Sequence, residues 1–186
     1  MSTEEKKNSQ ISLDSEILSP STEKEVSEIV REIYSKQLPI EITGTGTKKG
    51  FGYNLQTAKK LSLSKLSGII DYKKEELYIK VKAGTPIQDI EKILDENNQE
   101  LAFEPIDFGY MINGQSNKGT IGGYVACNFA GSRRFKVGSV RDHILGFKGV
   151  NGKGDIIKSG GTVVKNVTGY DPVSYTHLTL PTNLCV

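Results

Sequence analysis

The chain has 186 residues, of which 24 are basic and 22 acidic, so its formal net charge at pH 7 is only +2. This near balance, with no basic stripe interleaved with aromatic residues, argues against a dedicated nucleic-acid-binding protein. The two cysteines, Cys127 and Cys185, form neither a disulfide framework nor a zinc-binding spacing, and no metal site is predicted. A polar N-terminus and the lack of an apolar run of about 18 residues argue against a signal peptide and a membrane span. We therefore expect a cytoplasmic protein.

The first part of the chain predicts alternating helices and strands. Residues 1–19 are polar and are predicted to form a flexible leader. After Pro20, Thr22 and Glu25 form a capping-box pattern, which predicts the start of an amphipathic helix. The apolar positions of that helix are Val26, Ile29, Val30 and Ile33. Strands are predicted at 39–43, 61–66, 69–72 and 77–81, the last with Leu77, Ile79 and Val81 on one face.

A second helix is predicted after these strands, with Thr85 as its N-cap and Pro86 at its first position. From Leu101 onward the pattern favours strands, loops and turns, including a hairpin with its turn at 151–154. This order of elements predicts an α+β domain with two lobes, a small βαβ-like lobe and a larger β-rich lobe. The predicted buried face of the second helix consists of Ile87, Ile90, Ile93 and Leu94.

Glycine is unevenly distributed along the chain. Fourteen of the 20 glycines lie between Gly109 and Gly169, and four more lie between Gly44 and Gly52. Because glycine weakens helix and strand interiors by roughly 0.5–1 kcal/mol relative to alanine, this density indicates sharp turns or a close approach to a ligand. Two separated glycine-rich segments suggest a long, phosphate-bearing cofactor lying between them. The alternative is a loop-rich β domain with many turns.

The first glycine-rich segment consists of Gly44, Thr45, Gly46, Thr47 and Lys48, directly after a predicted strand. Successive backbone N–H groups in such a segment can form an anion-binding nest, to which the threonine hydroxyls and the lysine charge would add. The spacing does not fit a Walker A loop, and no helical pattern follows, as a Rossmann loop would require. A plain turn is the alternative.

The second glycine-rich segment is Gly119–Gly123, followed by Asn128. A Gly-Gly pair beside small residues would let the backbone lie against a flat ring or a pyrophosphate, and the alternative is a strand bulge or tight corner. Cys127 lies among small and apolar residues and is expected to be a buried thiol. His143, at the start of an apolar strand, is expected to be structural.

The order of these segments resembles the FAD-binding domain of the flavoenzyme family of vanillyl-alcohol oxidase and p-cresol methylhydroxylase (the PCMH type). Within that family it resembles the FAD-binding subunit of bacterial glycolate oxidase. The resemblance covers roughly residues 20–171, and the segments 131–134 and 165–171 favour the glycolate oxidase branch. The other matching segments are 44–48, 83–86, 103–107, 119–123, 140–142 and 150–152.

The resemblance implies a two-lobed PCMH-type domain that binds FAD. The binding would be noncovalent, because segment 44–48 lacks the histidine or cysteine through which some relatives attach the flavin. Segment 44–48 would hold the pyrophosphate, Gly119–Gly123 and Asn128 would line the flavin and its phosphates, and Gly138 and Ser139 would lie toward the adenine or ribose. The candidate cofactor-binding residues are Gly44, Thr45, Gly46, Thr47, Lys48, Pro105, Gly119, Thr120, Ile121, Gly122, Gly123, Asn128, Gly138 and Ser139.

The resemblance also implies an activity. The intact enzyme would be an FAD-dependent oxidoreductase acting on CH–OH groups, with hydride transfer from a small 2-hydroxy acid such as glycolate to the flavin. Its partners would be a paralogous flavin subunit and an iron–sulfur subunit, which could place it peripherally on the inner membrane. One alternative is a noncatalytic FAD-binding or assembly partner, and another is a flavoenzyme like UDP-N-acetylenolpyruvoylglucosamine reductase. No catalytic base can be named from these residues.

The resemblance stops near Asp171. The family continues there with Leu-x-Lys-Leu and Gly-Ser-x-Gly-Thr segments, whereas residues 172–186 resemble translated sequencing-adapter read-through. We therefore expect an incomplete FAD-binding domain over 20–171 and a non-native tail, the alternative being a genuine short paralogue. Such a fragment should expose an unpaired sheet edge, bind FAD poorly and have no turnover.

Overall fold

The computed structural model describes residues 16–51, 57, 59–161 and 179–185. It has a two-lobed α+β architecture, as the sequence predicts, with one sheet in each lobe. Two 3-10 turns, Lys49–Phe51 and Val140–His143, accompany the longer elements. In chain order these are β1 (Glu16–Leu18), α1 (Glu23–Ser35), β2 (Ile40–Thr43), β3 (Lys59–Ser62), β4 (Ile69–Lys73), β5 (Tyr78–Lys82), α2 (Ile87–Asp95), α3 (Phe108–Asn113), α4 (Ile121–Cys127), α5 (Arg134–Val137), β6 (Gly146–Asn151), β7 (Ile156–Gly160) and β8 (Thr179–Cys185).

The first lobe consists of a three-stranded parallel sheet, in the order β1-β3-β2, and helix α1. Thr22 caps α1 as predicted, because its hydroxyl accepts a hydrogen bond from the Glu25 N–H at 3.2 Å. The Glu25 carboxylate in turn accepts from the Ser21 N–H at 2.8 Å, one residue before the position that the capping-box pattern predicts. The predicted leader is wrong at its end, since Glu16–Leu18 pair with β3, while residues 1–15 lie outside the described residues.

The second lobe contains a five-stranded antiparallel sheet in the order β4-β5-β8-β6-β7. The predicted hairpin is present as β6 and β7, and the predicted strands at 69–72 and 77–81 are present as β4 and β5. Leu77 departs from the predicted alternation, because it lies in the turn with φ +56° and is 75% exposed. The core of this lobe includes Ile79, Val81, Ile87, Ile90, Leu94, Phe103, Ile121, Tyr124 and Val140.

Helix α2 begins one residue later than the capping pattern at Thr85 predicts. Its N-cap is Pro86, which offers no side-chain hydrogen bond. The Thr85 hydroxyl instead lies 2.6 Å from the Lys82 carbonyl oxygen and accepts from the Gly68 N–H at 3.0 Å. A buried hydroxyl that binds the preceding turn is not free to cap the helix, so the N-cap prediction for Thr85 is wrong.

The region after Leu101 is more helical than predicted. Asp107 and Thr120 cap α3 and α4 through their side chains, and Gly114 ends α3 with φ +69°. These helices and α5 have only four to seven residues each. Such short helices complete at most two turns, so they leave too little periodicity for a sequence pattern to identify.

Strand β8 lies between β5 and β6, and β4 and β7 are the outer strands of the sheet. Among the described residues each outer strand pairs on one side, so the expectation of an unpaired sheet edge is not contradicted. Pro181 stands opposite Gly149, where the β6–β8 register shifts, and β8 pairs with β5 only at positions 183–185. A proline has no N–H to donate, which is why it occurs at such an irregularity rather than in a regular central ladder.

The two lobes contact each other through α1 and the β6–β7 hairpin. The Ser27 hydroxyl donates to the Gly154 carbonyl oxygen at 2.5 Å, and Arg31 lies 3.5 Å from the Asp155 carboxylate. Gly154 has φ +86°, and a Cβ there would lie 2.8 Å from the Ser27 carbonyl oxygen. Val150, on β6, is fully buried in the core of the first lobe. Val150, a residue of the second sheet, thus completes the core of the first lobe.

Candidate functional site

The segment 44–48 forms a loop whose backbone donors are free. It follows β2 and contains Gly46 with φ +74°, a conformation that favours glycine. Within the described part of the chain, the N–H groups of residues 44–48 donate no hydrogen bond. Thr45 is exposed, Thr47 is buried and residues 44, 46 and 48 are half-buried, so this curved segment can offer its N–H groups to an anion or to solvent. The geometry therefore supports the predicted phosphate loop.

The second glycine-rich segment passes through an isolated β-bridge between Thr120 and Pro86 into α4, and its glycine N–H groups donate hydrogen bonds. Gly119 donates to the Asn117 side-chain oxygen at 2.9 Å, and Gly122 donates to the Ala83 carbonyl oxygen at the same distance. Gly123 donates to the hydroxyl of its N-cap, Thr120, at 3.3 Å. This segment is neither a bulge nor a bare loop, because capping and packing account for its backbone donors.

The two glycine-rich segments touch each other. A Cβ on Gly44 would lie 2.5 Å from the Thr120 hydroxyl oxygen, and a Cβ on Gly119 would lie 2.6 Å from the Thr47 hydroxyl oxygen. Side chains at both glycines are therefore excluded by the opposite segment. The expectation that a cofactor separates the two segments is wrong at this contact, since no space remains between them there.

A cavity of about 520 Å³ opens beside this contact. It extends from the phosphate loop along α4 to Ala126 and Cys127 at the end of the helix. Cys127 is exposed, so the expectation of a buried thiol is wrong. The candidate residues that line this cavity are Gly44, Thr45, Gly46, Thr47, Lys48, Thr120 and Gly123.

Lys48 supplies positive charge to the cavity, whose lining also contains the ion pair of Lys49 and Glu41. Its ammonium lies 4.2 Å from the centre of the Tyr124 ring and 5.6 Å from that of Phe108, which places it over two aromatic faces. Burial lowers the pKa of Lys48, and among the described residues no carboxylate pairs with it. A half-buried ammonium without a carboxylate is stabilised by a bound anion.

Tyr124 and Cys127 complete the surroundings of Lys48 on α4. The Tyr124 hydroxyl donates to the Ile106 carbonyl oxygen, and burial raises the pKa of Tyr124, so the ring stays neutral under Lys48. Desolvation likewise raises the pKa of the Cys127 thiol, while the Lys48 charge opposes this shift. Neither side chain competes with a ligand for the charge of Lys48.

Ile121 and Gly122, both predicted to bind the cofactor, have packing roles. Ile121 is fully buried in the core of the second lobe. A Cβ on Gly122 would lie 2.8 Å from the Ala83 carbonyl oxygen, so this glycine allows α4 to pack against the chain after β5. The sequence pattern alone does not distinguish the residues of this glycine-rich segment that pack in the core from those that line the cavity.

Four further candidates do not line this cavity, and Asn128 follows directly after its lining residue Cys127; the others are Gly138, Ser139 and Pro105. The Asn128 side-chain oxygen accepts from the Arg141 N–H at 2.9 Å. The Ser139 N–H and hydroxyl both donate to Asp142, at 2.7 and 2.9 Å, and Gly138 packs against the same carboxylate. These contacts lower the pKa of Asp142 and fix the turn before β6.

His143 follows this turn and has a structural environment. Its Nε2 lies 2.9 Å from the Val137 carbonyl oxygen, and its ring centre lies 6.0 Å from that of Phe103. These contacts agree with the expectation of a structural histidine. Residues 165–171, which the resemblance also invoked, lie outside the described residues.

Comparisons with known proteins agree with this fold. A family model described as an FAD binding domain matches residues 15–160. Glycolate oxidase subunit GlcE of Escherichia coli is 38% identical over 144 residues, which are 77% of this chain and 39% of the relative. D-lactate dehydrogenase of Anaerostipes hadrus is 31% identical over 78% of this chain and 29% of its own length. The chain thus spans well under half the length of these curated relatives.

Solved structures show the same architecture. The structure of 6-hydroxy-D-nicotine oxidase from Arthrobacter nicotinovorans superposes with a TM-score of 0.68 at 19% identity, covering 91% of this chain and 35% of that one. An alkyldihydroxyacetonephosphate synthase gives a TM-score of 0.66 at 17% identity. At such identities the likeness concerns the fold. In the described residues, no helix is long and apolar enough to cross a bilayer.

Proposed function

The chain belongs to the FAD binding domain family, and we propose that it is the N-terminal part of a glycolate-oxidase-type FAD-binding subunit. FAD is the cofactor of this family. The assignment to a site depends on the loop at 44–48. In the part of the chain described, its N–H groups donate no hydrogen bond and the ammonium of its Lys48 has no carboxylate partner. Similarity to two relatives named as glycolate oxidase subunits, GlcE and GlcD, supports the assignment to that branch.

The residues at the cavity fit the pyrophosphate of FAD. The N–H groups of 44–48 would bind its oxygens, and the Lys48 ammonium would neutralise part of its negative charge. Gly44 and Gly119 have no room for side chains, which keeps the two segments in contact at the edge of the site. The segment contains neither cysteine nor histidine, which supports noncovalent binding. FAD, when bound, supplies the acceptance of a hydride from the substrate.

We extend the proposal to the intact enzyme. It would oxidise the CH–OH group of a small 2-hydroxy acid and would assemble with a paralogous flavin subunit and an iron–sulfur subunit. Two relatives carry subunit names of glycolate oxidase, and others are named D-lactate and D-2-hydroxyglutarate dehydrogenases, which supports a hydroxy-acid substrate. We place it in the cytoplasm, with any contact to the inner membrane made through its partners.

A second role for this subunit is noncatalytic binding of FAD within the complex. The similarity to two differently named subunits of glycolate oxidase, GlcE and GlcD, is what raises this alternative. Reduction of the flavin by glycolate in each isolated full-length subunit separates the two roles. Reduction in this subunit alone would rule out the noncatalytic role.

The proposed organisation is an incomplete FAD-binding domain over residues 20–171, followed by a non-native tail at 172–186. The short coverage of the relatives supports the first part of this proposal. Sequencing the source DNA through codon 171 tests the second. A reading frame that continues with Leu-x-Lys-Leu would confirm the tail as an artefact, and a confirmed stop after Val186 would contradict it.

The cofactor site is tested by titrating the 186-residue chain with FAD and following flavin fluorescence. We expect weak binding, since so much of the relatives is absent, and no turnover of glycolate. Lys48→Met should lower the affinity roughly tenfold or more, because hydrogen bonds to charged groups contribute about 1.5–3 kcal/mol. The matched control is Lys60→Met, which removes a lysine 3.8 Å from Glu41 and outside the cavity lining. Equal affinities for both variants would refute the site, and stoichiometric yellow cofactor in the purified chain would refute weak binding.

A further inference from the structure

The cavity combines an anion-binding loop with an amine that is easier to deprotonate than an ordinary lysine. The Lys48 ammonium is half-buried over Tyr124, and burial lowers its pKa. A larger neutral fraction makes an amine a better nucleophile near neutral pH. Residues 44–48 line the same cavity, and within the described part of the chain their N–H groups donate no hydrogen bond, so a phosphate there could accept from them. A reagent that carries both a phosphate and an electrophilic carbon would be bound and attacked in one place.

We propose that Lys48 is a modification site, and that small acyl phosphates acylate its amine when no cofactor is bound. The phosphate group of the reagent would bind the loop at 44–48, and its acyl carbon would face the Lys48 amine. This inference rests on the proposed cofactor site, since both ligands use the same phosphate-binding segment.

The reaction balances without another reactant. The Lys48 ammonium first loses a proton to water, and the lone pair of Nζ then forms a bond to the carbonyl carbon of the acyl phosphate. The bond between that carbon and the phosphate oxygen breaks, and inorganic phosphate leaves with the electron pair. The amide nitrogen gives up its second proton to the departing phosphate or to water. No oxidation or reduction takes place.

The acyl group would switch off cofactor binding. An amide at Lys48 has no positive charge, so the cavity loses the cation that would face the pyrophosphate. The group would also extend into space between the loop and α4, which Ala126 and Cys127 line. Bound FAD would occupy the phosphate loop and protect Lys48, so only the empty protein would be modified.

Lys49 provides an internal reference for this reaction. It is adjacent in sequence and lines the same cavity, but its ammonium pairs with the Glu41 carboxylate, which also lines the cavity, at 2.8 Å. Both lysines are therefore exposed to the same concentration of reagent in solution, but the Lys49 amine is held in an ion pair with a carboxylate and the Lys48 amine is not.

The experiment treats the purified 186-residue chain with acetyl phosphate and measures acetylation at each lysine by mass spectrometry, after digestion with a protease that does not cut at lysine. Lys48 should react faster than Lys49, because burial lowers the pKa of Lys48 whereas the Lys49 ammonium is held in an ion pair with Glu41. Inorganic phosphate and FAD should each slow the reaction at Lys48 and leave the reaction at Lys60, which lies outside the cavity lining, unchanged. In urea the two rates should become equal.

Equal rates at Lys48 and Lys49 in the native chain would overturn the proposal. Faster reaction at Lys48 that inorganic phosphate does not slow would also overturn it, because the loop would then have no part in binding the reagent. Lys48→Arg keeps the charge but cannot form this product, so acetyl phosphate treatment should reduce FAD affinity in the wild type and not in the variant. Failure of the untreated chain to bind FAD would instead count against the cofactor site, while the ratio of acetylation rates would still test the reaction.

Discussion

The two glycine-rich segments look alike in sequence and differ in what their backbones do. Residues 44–48 leave their N–H groups without protein partners in the described structure, whereas Gly119, Gly122 and Gly123 all donate hydrogen bonds within the chain. The first segment thus has backbone donors left for a ligand, whereas those of the second segment are used in capping and packing. Many glycines close together thus indicate a crowded region of the fold. The hydrogen bonds of the backbone N–H groups then show which part of that region can bind an anion.

The largest effect is expected for Gly122→Ala. Its new Cβ would lie 2.8 Å from the Ala83 carbonyl oxygen and 2.9 Å from the Ala83 Cβ, so α4 must shift. Such overpacking typically lowers the free energy of unfolding by about 1–3 kcal/mol. Thermal denaturation should show a melting temperature lower by several degrees, and an unchanged value would mean that this glycine has no packing role.

The neighbouring substitution Gly123→Ala sharpens the comparison. Its Cβ would be 3.4 Å from the Thr120 hydroxyl oxygen and 3.7 Å from the Lys48 ammonium, which are ordinary contacts. Alanine favours a helix over glycine by up to about 1 kcal/mol, so the melting temperature should stay constant or rise. FAD affinity should fall, because the methyl group enters the cavity beside Lys48. A parallel loss of stability would show that both glycines of the pair serve packing.

The smallest expected effect is a pH dependence of stability that comes from Asp107, which supports the second glycine-rich segment through hydrogen bonds. The Asp107 carboxylate accepts hydrogen bonds from Ser116 and from the Asn117 N–H, and Asn117 in turn accepts from Gly119. The Ser116 hydroxyl and then the backbone donors lower the pKa of Asp107 below its ordinary value. Asp107 therefore stabilises the fold above the pKa of an unfolded aspartate, about 4, and this contribution is lost as pH falls through the lower folded value.

This pH dependence can be measured with Asp107→Asn as the matched variant. Melting temperatures recorded between neutral and acidic pH should fall less steeply for the variant than for the wild type, because the titrating group is gone. The same slope in both proteins would mean that Asp107 does not support the segment through its charge.

Much of the fold follows from local patterns. The periodicity of Val26, Val30 and Ile33 and the cap at Thr22 predict α1, and the turn at 151–154 predicts the β6–β7 hairpin. The cap at Thr85 fails because the pattern cannot show that its hydroxyl binds Lys82 instead. The pairing of Glu16–Leu18 with β3 is also invisible, since it depends on residues that are distant in sequence.

The candidate site was predictable to a similar extent. The phosphate loop carries a local signal, because glycine, threonine and lysine alternate directly after a strand. The two aromatic rings under Lys48 carry no local signal in the sequence, because Phe108 and Tyr124 approach this lysine only through the tertiary fold. Cys127 could have been placed beside the cavity by counting along a helix from Gly123, had α4 been predicted as a helix.

The contact between α1 and the β6–β7 hairpin has a consequence for the order of folding. Ser27 and Gly154 are 127 residues apart, and Val150 is part of the core that α1 covers. The first lobe therefore lacks part of its core until synthesis has passed the hairpin, even though its own sheet and helix precede it. Contacts of such long range slow folding because the intervening chain must be ordered first. The N-terminal lobe is thus completed only after part of the second sheet has been made, and the second sheet in turn waits for β8.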